Sequence, residues 1–113
     1  MSGISTHVLD TSIGRPAAGV RVNLDLWSDG TAWEHIASGT TDANGRCGSV
    51  LAAENVRPGR YRFSFDTAAY FAGRGQNTLY PEVTIIFLVA EGELNYHIPL
   101  LLNPFGYSTY RGS

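Results

Sequence analysis

The sequence predicts an all-β fold, a two-sheet β-sandwich of about eight strands with one short helix. Three observations carry that prediction. Apolar and polar residues alternate with a period of two in several segments of the chain. Clusters of Gly, Pro, Asn and Asp separate those segments at roughly 8–12-residue intervals, the spacing of strands in a sandwich. One window alone has the caps and composition of a helix.

The first segment, "ISTHVLD", sets Ile4, Thr6 and Val8 against Ser5, His7 and Leu9. "GRPAAG" then supplies a turn through Gly14, Pro16 and Gly19. "VRVNLDLW" is a strand with Val20, Val22, Leu24 and Leu26 inward and Arg21, Asn23 and Asp25 outward. After the turn "SDGT", a short strand carries Trp33, Glu34 and His35, and "DANGR" turns the chain through Asn44 and Gly45. "RPG" precedes "RYRFSFD", where Tyr61, Phe63 and Phe65 point inward and Arg60, Arg62 and Ser64 outward. The helix window is "DTAAYFAGRG", with Asp66 or Thr67 as N-cap and Gly73 or Gly75 near its stop. "EVTIIFLVA" is apolar on both faces, the pattern of a strand covered on both sides, with a second subunit as one candidate cover. Beyond "AEGE", "LNYHIPLLL" places Leu94, Tyr96, Ile98 and Leu100 on one face and Asn95, His97 and Pro99 on the other. Pro99 has no N–H for a ladder, so it is expected at an edge, a bulge or a gap between subunits.

The totals exclude several classes of function. A chain of 113 residues reads as one domain, 1–113, large enough for a single core without staples. With 43% hydrophobic and 16% charged residues, the composition is neither disordered nor membrane-spanning. The apolar run "VTIIFLVA" falls far short of the ~20 residues that cross a bilayer, so no membrane partner is expected. The net charge of −2, with basic residues scattered, offers no patch for a phosphate backbone, and no nucleic-acid partner is expected. Cys47 stands alone and suits a reducing compartment. "MSGISTHVLD" lacks the regions of a signal peptide, which makes the cytoplasm the expected location.

Chemistry-bearing residues are few. His7 lies in the first strand, and His97 occupies the polar face of a strand whose other face is apolar. His35 reads as a structural surface residue. The three histidines are dispersed and Cys47 has no partner motif, so no metal is expected. No GxSxG elbow is present, and Cys47 beside Arg46 reads as a small buried cysteine before it reads as a nucleophile. Singly, Arg46 and Arg111 read as solvated surface cations.

Together these residues sit in recognisable motifs. "STHVLDTSIGRPAAGV", "DANGRC", "YRFSFDTAAYF", "YPEVTI" and "YHIPLLLNPFGYSTYRGS" resemble, in order, the transthyretin-related family, from about Ile4 to Ser113. The closing "YRGS" matches the enzymatic branch, whereas the hormone-carrying members share "GYST" without it. The resemblance implies a transthyretin-like sandwich assembled as a homotetramer, a dimer of dimers, with clefts where subunits face each other. It implies hydrolysis of 5-hydroxyisourate to 2-oxo-4-hydroxy-4-carboxy-5-ureidoimidazoline on the route from urate to allantoin. A carrier of a small hydrophobic ligand and a sandwich module without a site are the rival readings; the polar residues and "YRGS" weigh against both.

The same resemblance implies a site. His7, Arg46, His97 and Ser113 are the expected catalytic residues, and His7, Arg46, Tyr110, Gly112 and Ser113 the expected substrate contacts. Either His97 or His7 is the base that activates water; the sequence leaves that open. Arg46 would bind the planar substrate and stabilise charge on the attacked carbonyl. Tyr110 would close the cleft, Gly112 would allow close backbone approach, and Ser113 would bond substrate through its hydroxyl or carboxylate. Arg111 is expected to orient the tail. Water being the second reactant, no cofactor is expected.

Overall fold

The alternating segments fold as strands. The computed structural model describes residues 3–113; Met1 and Ser2, which open the stretch read for a leader, lie outside it. Among the described residues, nine strands and one α-helix follow in order: β1 (Ile4–Asp10), β2 (Arg15–Pro16), β3 (Arg21–Ser28), β4 (Ala32–Thr40), β5 (Arg46–Leu51), β6 (Gly59–Phe65), α1 (Thr67–Gly73), β7 (Val83–Val89), β8 (Tyr96–Asn103) and β9 (Gly106–Thr109). A single 3₁₀ turn, Ala53–Asn55, precedes β6.

Two sheets result. The first runs β2-β1-β8-β9, with β5 also paired to β1; the second runs β4-β3-β6-β7. The inward sets named above meet between them. Val8 and Leu100 of the first sheet and Val22, Leu24, Phe63 and Phe65 of the second are fully buried. Each such side chain contributes about 1.5–3 kcal/mol relative to leaving it in water. Phe87 of β7 stacks on Tyr61 and Phe63 with centroids 5.9 and 5.6 Å away, which carries the core to the sheet edge.

The helix is latched to the first sheet. Asp66 caps α1 by accepting from the Ala69 N–H at 3.1 Å, worth about 1 kcal/mol. From the same helix the Tyr70 hydroxyl donates to Asp10 Oδ2 at 2.7 Å, and Asp10 is fully buried at the end of β1. Burial, and next the Asp10 carboxylate, push the Tyr70 phenol up to about 12.

Two expectations, for Leu94 and Pro99, need correcting, and those for Asp25 and β7 gain detail. Leu94 is exposed, because β8 starts only at Tyr96. Asp25 does sit on the outer face, yet it is buried, since Arg62 and His35 cover it. Within one chain β7 is covered on one face only. As the edge strand of its sheet it leaves Ile86 57% and Leu88 71% exposed. Pro99, lastly, lies inside the first sheet. β9 pairs with β8 up to Leu100↔Thr109, and the next contact is the isolated bridge His97↔Gly112. That register places Pro99 opposite Tyr110, and the missing N–H interrupts the ladder there, within the chain.

Candidate active site

One strand assembles the site by pairing on both sides. β1 runs parallel to β8, which sets Ser5 beside His97, and antiparallel to β5, which sets His7 opposite Arg46. The rings of His7 and His97 stack loosely, with centroids 6.5 Å apart and planes 26° from parallel. A parallel pair between the first and the penultimate strand joins residues 92 positions apart in sequence.

The turn before β5 aims Arg46. Asp42 Oδ1 accepts from the backbone N–H groups of Asn44 at 2.8 Å and Arg46 at 3.0 Å. Those two bonds hold its carboxyl below the usual carboxylate range. Gly45 closes the turn at φ 73°, and a Cβ there would stand 2.4 Å from the Val8 carbonyl oxygen. Only glycine lets the turn lie against β1 so closely. Past Cys47, β5 carries two extra residues relative to β1, between Thr6↔Cys47 and Ile4↔Leu51. Ser49 adopts a left-handed φ of 47° in that bulge, which costs about 1 kcal/mol or more, and Gly48 forms part of the cleft wall.

The tail supplies the opposite wall. The Gly112 N–H donates to the His97 carbonyl at 2.8 Å. A Cβ on Gly112 would lie 2.5 Å from His97 Cδ2 and 3.2 Å from Pro99 Cγ, so the glycine is required for the tail to lie flat on the imidazole. Arg111 points elsewhere: Nη2 donates to Glu93 Oε2 at 3.0 Å and to the Asn95 carbonyl at 3.2 Å, with the guanidinium 4.4 Å over Tyr96.

Ser5, Thr6, Arg46, Gly48, His97 and Ser113 thus line a cleft of about 290 Å³. Gly112 and Ser113 also line an adjoining hollow with His97. His7 stands beside this group through its contact with His97. Tyr110 is not brought to the cleft of its own chain; it lines a separate apolar hollow with Ile86, Leu88, Tyr96 and Ile98. Among the described residues no three His, Cys, Asp or Glu side chains gather as metal ligands, and no helix is long and apolar enough to cross a membrane.

Burial is the first cause that lowers the His97 pKa, and the neighbouring Arg46 and His7 charges lower it further. These causes favour the neutral ring, the form able to accept a proton. Burial pushes the Cys47 thiol up, with Asp42 adding to it, which disfavours a thiolate. Ser5 is the residue that the sequence reading missed. Its hydroxyl lies 2.9 Å from His97 Nδ1. Alternation alone put Ser5 on the His7 face of β1, but nothing in the sequence pairs β1 with β8.

The HIUase/transthyretin family model matches residues 4–112. The chain is 40% identical to mouse 5-hydroxyisourate hydrolase, covering 99% of this chain and 96% of that protein. It is 45% identical to the 5-hydroxyisourate hydrolase of Mesorhizobium japonicum, over 97% of this chain and 91% of that one. The chain belongs to the HIUase/transthyretin family.

Within that family, shape alone does not separate the branches. The structure of sea bream transthyretin in complex with thyroxine superposes with a TM-score of 0.92 at 31% identity, covering 97% of this chain and 94% of that one. The Klebsiella pneumoniae 5-hydroxyisourate hydrolase gives 0.86 at 41% identity over the whole of both chains. Sequence identity therefore sides with the hydrolases while backbone similarity is high for both, and the chain is an enzyme of the hydrolase branch. It is also 44% identical to the Arabidopsis thaliana uric acid degradation bifunctional protein TTL, of whose length it spans 37%.

Proposed function

We propose that the chain hydrolyses 5-hydroxyisourate to 2-oxo-4-hydroxy-4-carboxy-5-ureidoimidazoline in the urate-to-allantoin route, with His97 as the base. The observation that carries this reading is the convergence of His97, Arg46 and Ser113 on one cleft with His7 alongside. Neutral His97 takes a proton from water as the oxygen adds to the ring carbonyl. The C–N bond of the cyclic amide then breaks, and the proton returns to the departing nitrogen. One water is consumed and no electron changes hands. Arg46 binds the planar substrate through its fork of donors and stabilises the charge that develops on the carbonyl oxygen. Ser113 bonds substrate at the far wall, and His7 completes the polar lining. No cofactor takes part.

The proposal includes a cytoplasmic homotetramer, a dimer of dimers. The uncovered Ile86 and Leu88 on edge strand β7, next to Tyr110, support a second subunit on that side. Tyr110 would then act in a cleft completed by a neighbour. The test is a coupled absorbance assay in which urate oxidase generates fresh 5-hydroxyisourate and its decay is followed with and without the protein. Decay faster than the spontaneous rate, lost in His97→Asn, is the expected result. Decay no faster than in buffer, from folded protein, sinks the proposal.

A further inference from the structure

The mechanism above leaves unexplained how the His97 ring presents the correct nitrogen. We propose that Ser5 is a positioning residue that fixes the His97 tautomer: Nδ1–H donates to Ser5 Oγ, which leaves the lone pair on Nε2, facing the cleft. The inference deepens the hydrolase reading and rests on it for the role of His97.

Three observations carry it. First, the β1–β8 register makes Ser5 and His97 direct partners, and the two side-chain atoms stand 2.9 Å apart. Second, Ser5 is only 6% exposed, so bulk water does not compete for that bond. Third, the ring is held on its other edge. Gly112 packs against Cδ2, which with the Ser5 contact occupies both positions flanking Cγ. Nε2 is then the ring nitrogen left to the cleft. A serine hydroxyl can either accept from Nδ1–H or donate to a bare Nδ1; only the first arrangement leaves Nε2 its lone pair, as the base role of His97 requires. The neighbouring hydroxyl cannot substitute, because Thr6 Oγ1 already donates to the Ile98 carbonyl at 2.6 Å.

The choice of a neutral partner matters. A carboxylate at this position would fix the same tautomer but would also favour the imidazolium. A hydroxyl orients the ring and leaves it neutral. Where a tautomer-fixing carboxylate is removed from a serine-protease triad, turnover falls about 10⁴-fold; a neutral hydroxyl holds the ring less firmly, and a fall of about 10- to 100-fold in kcat is expected here.

The experiment has a spectroscopic and a kinetic arm. Nitrogen-15 correlation spectra of the labelled wild-type protein, recorded above the His97 titration, should show a protonated Nδ1 and an unprotonated Nε2. Ser5→Ala should move the population toward the Nε2–H form and lower kcat with KM changed less than about twofold; Ser5→Thr should restore both. An Nε2–H tautomer in the wild type, or an unchanged tautomer in folded Ser5→Ala, overturns the proposal. The wild-type spectrum decides the tautomer even where a variant folds poorly. If the wild type fails to accelerate substrate decay, the hydrolase reading falls, while the spectra still judge the Ser5 contact separately.

Discussion

Both sheets hold a histidine by its Nδ1, and the surroundings of the two are opposite in charge. On the outer face of the second sheet His35 stands 3.3 Å from Asp25 Oδ1. The same carboxylate accepts from Arg62 at 2.8 and 3.1 Å, and Arg62 lies 4.3 Å over the Trp33 ring. Asp25, Arg62 and His35 thus all have a partner. On the first sheet His97 meets a neutral serine, with the Arg46 guanidinium and the His7 ring beside it. Among the described residues, no carboxylate forms an ion pair with Arg46. The nearby Asp42 is engaged by backbone N–H groups. A balanced cluster is a brace; an unbalanced, partly buried one holds capacity for an anionic or carbonyl-rich ligand.

The tail breaks this comparison most sharply. Removing Tyr110–Ser113 takes away the cleft's far wall and the contact that holds the His97 ring, so kcat/KM should fall at least about 100-fold. Stability should barely change. Arg111 and Glu93 are both more than half exposed, and a pair of that kind is worth about 0–1 kcal/mol. The one ladder bond lost is Gly112 to His97. Denaturant unfolding beside the coupled assay checks both halves. A truncated chain that unfolds would make the tail a structural element first. His35→Ala, the matching cut on the second sheet, should leave turnover intact.

Much of the brace and less of the site were legible in the sequence. The inward sets of β3 and β6 follow from alternation alone, because each strand meets one buried face and one outer face. His7, Arg46, His97 and Ser113 were named from motifs, and the fold brings them together. Three features were not legible, each for a physical reason. The Ser5–His97 contact depends on a parallel pairing between distant strands, and hydrophobic period says nothing about partners. The burial of Asp25 depends on long side chains reaching over it from neighbouring strands. The position of Tyr110 depends on Pro99 opening the ladder beside it, which requires knowing that β9 lies against β8.

An intermediate effect sharpens the other half. Asp25→Ala leaves Arg62 without Oδ2, the one oxygen to which both its Nε and Nη2 donate, and His35 without its contact to Oδ1. The pair is only partly shielded, with Arg62 about 29% exposed, so the expected loss is about 1–3 kcal/mol rather than the full cost of a deeply buried pair. Turnover per folded molecule should stay at the wild-type level. A variant with unchanged stability would show that the second sheet does not depend on this brace, and a loss of turnover would tie the two clusters together.

The smallest expected effect concerns the charge surrounding His97. Its pKa lies below the ordinary value of 6.5, first through burial and then through Arg46 and His7. Arg46→Gln removes the second cause and leaves the first, so the titration should move upward without passing the ordinary value. Nuclear magnetic resonance is the right probe, since activity will have suffered for another reason. The sign carries over to folding. A histidine whose pKa is depressed in the native state contributes stability that is present above the unfolded value and lost as pH falls through the folded one. Arg46→Gln should therefore flatten the loss of stability on the acid side of pH 6.5, and Asp25→Ala should leave the His97 titration where it is. A His97 titration that ignores Arg46 but follows Asp25 would reverse the assignment of the two clusters, placing the electrostatic control of the base on the opposite sheet.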